Sequence, residues 1–171
     1  MTRELLAWPP GSGADWRLRV SVAEIERDGP FSAFAGVQRC FTVLEGAGVV
    51  LGFEDGDRVL TPDSLPLAFE GGAAPSCRLI EGPTRDLNLM TRHAAGRATL
   101  RPAAAGEMAP AQALWWGLYA ASPVTLSGTR GAFGLAAHSL AWTEAGEPAW
   151  RIDAAGGAPL RAWWLELARH A

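Results

Sequence analysis

The pattern that most narrows the choice of fold is a strict alternation near the middle of the chain. Asp86, Asn88, Met90 and Arg92 fall on one face of an extended segment, and Leu87 and Leu89 on the other. Period two is the signature of a half-buried strand. It recurs in residues 16–25, where Arg17, Arg19 and Ser21 oppose Leu18, Val20 and Val22. Between these two stretches lie short apolar segments, at 40–44, 49–53, 58–60 and 77–80, separated by turn signals. Glu45-Gly46-Ala47-Gly48 joins the first pair, and since glycine reaches the positive φ of tight turns, a β-hairpin is expected there. Asp55-Gly56 predicts another. Residues 61–76 are rich in proline and glycine, which leaves 65–69 as a brief edge strand.

Alanine, glycine and proline dominate from residue 94 to 112, and the stretch 94–111 reads as a linker between a first half, 1–93, and a second, 112–171. The halves are expected to form one compact unit. Six of the eight tryptophans lie in the second half, at 115, 116, 142, 150, 163 and 164. They serve core packing, with a homodimer face as the alternative. Residues 113–120 and 124–127 suggest a hairpin about Ser122-Pro123. Further short strands are expected at 133–135, 140–142, 150–152 and 161–167, although 162–168 is also compatible with a helix. Many short strands with closely spaced turns predict an all-β protein with little helix, built as a pair of small barrels.

Composition excludes several functions. The 171 residues are 49% hydrophobic, enough to bury a core. No apolar run approaches the roughly 18 residues of a membrane span. No basic region followed by an apolar one marks the N-terminus as a signal peptide. Cys40 and Cys77 lie in apolar segments and are expected as buried, reduced thiols, which suits a cytoplasmic location. All 15 basic side chains are arginine, they are scattered, and the net charge is −3, so no nucleic-acid partner and no membrane partner is expected.

The residues that could carry chemistry are few. His93, His138 and His170 stand far apart without a His-x-His pair, so neither a metal nor another cofactor is expected. There is no Gly-x-Ser-x-Gly elbow, no cysteine with a histidine nearby in sequence and no phosphate-cradling glycine loop. What remains is a binding cup. Arginine forks pair with carboxylates, and an asparagine amide both donates and accepts. The candidate ligand-binding residues are Arg19, Phe31, Ser32, Arg39, Asp86, Asn88 and Met90. Phe31 and Ser32 follow the turn Asp28-Gly29-Pro30, and Arg39 opens a strand whose face also carries Phe41 and Val43. Arg17, Arg19 or Arg39 with Asn88 and Asp86 would hold a small acid bearing a nitrogen function.

The order of Gly29-Pro30-Phe31-Ser32, Gly36, Arg39, Leu44-Glu45-Gly46-Ala47-Gly48, Phe69-x-Gly71 and Asp86-x-Asn88-x-Met90 resembles the HutD/Ves family. Ala35 stands where that family usually has proline, and Thr2-Arg3-Glu4 matches the end of its longer opening motif. The resemblance implies a cupin-like double barrel, or bicupin, without the ligands of the metal cupins. It also implies a link to bacterial histidine utilisation, as a modulator rather than an enzyme, while Ves-type relatives are stress-induced. On that footing the expected partner is a small carboxylate metabolite, urocanate or a formylated or formiminated glutamate. The alternatives are a metal-free enzyme with Asp86 as general base, or a stress-related structural or interaction protein without a ligand.

Overall fold

The computed structural model describes residues 1–109, 113–129, 131–144, 150–156 and 159–170. Strands dominate; helix among the described residues is limited to three-residue 3-10 turns, such as Gly71–Ala73. The chain divides into two compact units, Met1–Ala98 and Thr99–Ala171.

The first unit contains β1 (Thr2–Trp8), β2 (Leu18–Ile25), β3 (Gly29–Pro30), β4 (Val37–Glu45), β5 (Val49–Phe53), β6 (Gly56–Leu60), β7 (Leu67–Glu70), β8 (Ser76–Leu79) and β9 (Thr84–Arg92). They form two antiparallel sheets, in the orders β1-β2-β9-β4-β7 and β3-β8-β5-β6. Phe41 and Val43 of the first sheet share a buried cluster with Val49, Leu51, Leu60 and Cys77 of the second. The two sheets therefore face one another across that core. Strand register then fixes which polar residues look inward, because residues opposite each other on neighbouring strands share a face. Arg19, Met90 and Arg39 form one row across β2, β9 and β4; Ser21, Asn88 and Phe41 form the next; Ala23, Asp86 and Val43 form the third. The alternation in β9 thus turns Asp86 and Asn88 toward the core side and not toward solvent.

One expected hairpin is corrected. Strands β4 and β5 flank the Glu45–Gly48 turn but belong to different sheets, so the turn carries the chain from one layer to the other. The reason lies in β4, where residues 40–44 are all buried. Such a strand is central, and both its hydrogen-bonding edges are already taken, by β9 and β7. The Asp55-Gly56 signal does make a hairpin, with Phe53 paired to Gly56. Leu67–Glu70 lies at an edge of its sheet.

The second unit takes its strands from β10 (Arg97–Pro102) onward: β11 (Trp115–Ala120), β12 (Val124–Gly128), β13 (Gly131–Leu135), β14 (Ser139–Glu144), β15 (Arg151–Ala154) and β16 (Ala162–Ala168). They order as β10-β16-β11-β14 and β13-β12-β15. Two expectations change here, and one left open is resolved. The stretch assigned to a linker contains β10, whose alternating Ala98 and Leu100 are buried, while residues 110–111 lie outside the described residues. Strands β11 and β12 do not pair, so Ser122-Pro123 also marks a crossing between sheets. Residues 162–168 are strand, paired along their length with β11. The tryptophans pack inward: 115, 116, 163 and 164 are buried, and Trp116 meets Trp150 and Trp164 edge to face.

Both glycines of the first crossing turn have positive φ, +95° at Gly46 and +110° at Gly48, and a Cβ on Gly48 would lie 2.2 Å from the Leu60 carbonyl oxygen. Gly36 has φ +71° but open space around it. An alanine at 36 therefore bears only the left-handed backbone cost, about 1–2 kcal/mol. At 48 a backbone collision is added. Urea denaturation of Gly48→Ala should show a loss clearly larger than that of Gly36→Ala; equal losses would contradict the close packing of this turn.

Candidate ligand-binding site

A cavity of about 890 Å³ opens in the first unit. Such a volume falls in the range of small-molecule sites. Strand β2 contributes Arg19 and Ser21, β4 contributes Arg39, and β9 contributes Asp86, Asn88 and Met90. The segment ahead of β4 adds Phe31, Ser32 and Phe34. All seven residues singled out from the sequence line this one space. Asp86, Asn88 and Met90 are buried, Arg19, Phe31 and Arg39 partly so, and Ser32 is exposed. Arg17 does not join them: it is exposed and its guanidinium sits 5.9 Å from the centre of the Trp8 ring.

Besides the candidates, Ser21, Phe34 and Cys77 line the cavity, and Phe69 stands against Arg39. Cys77 reaches the cavity from the opposite sheet, where it pairs with Gly29. A cysteine in an apolar strand reads as core, and nothing in its spacing tells otherwise. Phe69 stands beside Arg39 in register. Its position in the Phe69-x-Gly71 motif was the available signal.

The polar centre is a three-residue relay. Arg39 Nε donates to Asn88 Oδ1 at 2.8 Å, and Asn88 Nδ2 donates to Asp86 Oδ1. The amide is thereby oriented from both sides. The guanidinium carbon of Arg39 lies 4.1 Å from the Phe31 ring centre and 5.8 Å from that of Phe69. These rings hold its plane by cation–π attraction. Among the described residues Arg39 makes no ion pair, so its two terminal nitrogens are available. Arg19 differs, because its Nε already lies 2.6 Å from Glu4 Oε2. Asp86 Oδ2 has no hydrogen-bond partner, although the residue is only 1% exposed.

Burial governs the charges. It raises the Asp86 carboxyl to about 7, against a smaller lowering by Arg39 and by the Asn88 hydrogen bond. It also lowers Arg39 to about 10, with Asp86 acting in the opposite sense. The Cys77 thiol is pushed up to about 11, first by burial and then by the charges of Asp86 and Asp28. Burial likewise takes Cys40 to about 11. Both thiols are free and protonated at neutral pH, hence poor nucleophiles. Among the described residues no three His, Cys, Asp or Glu side chains converge as a metal site would need. No helix there is long and apolar enough to cross a membrane.

Comparison with known proteins places these features in context. The HutD family matches residues 1–160. An uncharacterised 21.2 kDa protein in the hutC 3′ region of Pseudomonas putida is 47% identical over 85 residues, 47% of this chain and 43% of that protein. Protein Ves of Citrobacter koseri is 37% identical over 103 residues, 60% of this chain and 53% of that protein. The chain thus matches about half the length of these relatives. The structure of HutD from Pseudomonas fluorescens SBW25, in a formate condition, superposes with a TM-score of 0.83 at 30% identity, covering 99% of this chain and 89% of that one. A cupin 2 conserved barrel domain protein from Leptotrichia buccalis, 9% identical, gives 0.61 over 99% and 88%. The fold is cupin-like and all-β.

The unmet Asp86 oxygen has a thermodynamic consequence. Its carboxyl goes from an ordinary 3.8 to about 7 in the folded protein. Between these values the folded state holds a proton that the unfolded state has lost, so stability falls as pH rises from about 4 to 7 and stays lower above. Asp86→Asn keeps an acceptor for Asn88 and removes the charge. Its melting temperature relative to wild type should therefore increase between pH 5 and pH 8, by an amount worth a few kcal/mol. A difference independent of pH would show that Asp86 is not desolvated.

Proposed function

Since this chain belongs to the HutD family, we propose that it binds a small carboxylate metabolite in the cavity of its first unit and thereby modulates histidine utilisation. The observation that carries the reading is Arg39: a partly buried guanidinium, stacked on Phe31, with its terminal nitrogens uncommitted inside a cavity. Such a fork matches a carboxylate bidentately. Arg19, whose charge is met by Glu4, contributes to the wall and not to the primary contact. Support for the pathway comes from the relative in the hutC 3′ region. Urocanate and formylated or formiminated glutamate, each an acid with a nitrogen function, are the ligands of choice, with Asn88 and Asp86 facing the nitrogen end. A cytoplasmic protein is the natural setting for such a role.

An enzymatic reading has one specific observation in its favour. A carboxyl raised to about 7 is in the range of a general base at neutral pH. Consumption of any of these acids by the purified protein, abolished in Asp86→Asn, would establish it in place of simple binding.

Thermal shift measurements test the binding reading directly. A ligand at 100 times its dissociation constant stabilises the folded state by about 2.7 kcal/mol. In a domain of this size that raises the melting temperature by roughly 5–10 °C. Arg39→Ala and Asn88→Ala should each remove most of that shift while remaining folded, since each leaves a ligand group unpaired. No shift with any of the three acids at millimolar concentration would refute the proposal. An unchanged shift in both variants would move the site elsewhere.

A further inference from the structure

A sheet that does not close on itself ends in strands with unpaired N–H and C=O groups, and proteins blunt such edges with charge, proline, bulges or brevity. The sheet edges of this chain are defended unequally. Strand β1 carries Arg3 and Glu4 and a register shift between Glu4 and Leu6. Strand β3 has two residues, one of them Pro30, and β7 has four, ending on Glu70. Strand β6 holds Asp57 and Arg58, β10 holds Arg97, Arg101 and Pro102, β14 ends on Glu144, and β15 holds Arg151 and Asp153. The remaining edge is β13, Gly131-Ala132-Phe133-Gly134-Leu135. It contains no charge and no proline, and its register against β12 is unbroken.

Among the described residues no strand pairs with the outer side of β13. Its first four residues are exposed, and Phe133 keeps 45% of its surface. Yet Phe133 belongs to the core-facing side of the sheet. It stands opposite Leu126, which in turn stands opposite Ile152, and both of those are wholly buried. Phe133 thus carries a core row past the last strand, with the Trp150 ring edge-on at 5.6 Å.

We propose that the outer edge of β13 pairs antiparallel with the same edge of a second copy of this chain, about a two-fold axis at Phe133. This surface lies in the second unit and is independent of the cavity reading. Three features favour a second copy over a foreign segment. The strand is self-complementary about its centre. In that register Ala132 meets Gly134 of the second copy and Phe133 meets its own counterpart, so small residues oppose small ones and a favourable aromatic pair remains. The row Ile152, Leu126, Phe133 then continues in reverse order into the second copy, and two three-stranded sheets become one of six strands. Finally, a two-fold pairing is closed: it consumes both undefended edges, whereas an edge open to any extended chain invites aggregation.

A single strand pair is a small interface, so the dimer should dissociate on dilution. Sedimentation equilibrium of the full chain between about 1 and 300 µM should show monomer passing into dimer. Ala132 is exposed and shares its face with Ser127, opposite to Phe133, so a longer side chain there leaves the core untouched. In the proposed register the two copies of position 132 are diagonal neighbours, roughly 7–8 Å apart. Ala132→Lys and Ala132→Glu should each weaken the dimer about tenfold or more, and their equimolar mixture at low salt should regain it. A wild type that stays monomeric up to about 300 µM would overturn the proposal and leave the edge to an extended segment of another protein. Dimers of undiminished strength in both variants, or a mixture no tighter than either variant alone, would overturn it as well. If a variant lacks a cooperative melting transition, amide hydrogen exchange on wild type decides. Protection of residues 131–135 must rise from dilute to concentrated samples, and unchanged protection refutes the pairing.

Discussion

A carboxylate taken out of water must find hydrogen-bond donors, a counter-charge or a proton, and Asp86 is only half provided for. One oxygen is bonded to Asn88 and the other to nothing, while the nearest guanidinium is held at one remove by the same asparagine. Such a cost is borne only where surrounding structure fixes the residue in place. Here that structure is the centre of a five-stranded sheet, with β9 flanked by β2 and β4. A bulge in β4 at Leu44, between the Val43 and Glu45 pairings, adjoins the Asp86 row. Irregularities of this kind commonly re-aim side chains beside functional sites. Arg85, one residue away, spans Glu24 and Glu45 and ties the neighbouring strands on either side.

Period two carried most of what could be read from the chain. It placed Asp86, Asn88 and Met90 on one face of β9 and Arg19 on one face of β2, and register did the rest, bringing them into line with Arg39. What alternation could not supply was which face looks inward. Polar residues on a strand ordinarily mean solvent, and the inward turn became visible only because Phe41 and Val43 share their rows. Arg17 shows the limit of the same logic. It continues the pattern of Arg19 and Ser21 yet lies before the strand begins, where the alternation no longer governs its direction.

The two misread hairpins share a cause. A glycine-rich or proline-containing turn between apolar segments states that the chain reverses, and not that the reversed strands pair. Pairing depends on whether the edges are free, which is a property of partners far away in sequence: β7 and β9 for β4, β14 and β16 for β11. The Glu45–Gly48 turn therefore serves the layering of the first unit. It lets one continuous apolar run close a core between two sheets.

That layering explains how a cupin-like fold can work through its own side chains. The inward face of a small sandwich is a place where polar groups are costly unless something meets them. Histidines converging there would meet a metal. In this chain the corresponding face carries an arginine, an amide and a carboxylate in sequence, bonded end to end. Two of these three groups are left with unused capacity, one cationic and one anionic, at opposite ends of a rigid amide. On the binding reading proposed above, a small molecule of complementary polarity would complete the set of interactions that the fold by itself leaves open. Stability given up at Asp86 would then be regained on filling the cavity, which would link occupancy to folding.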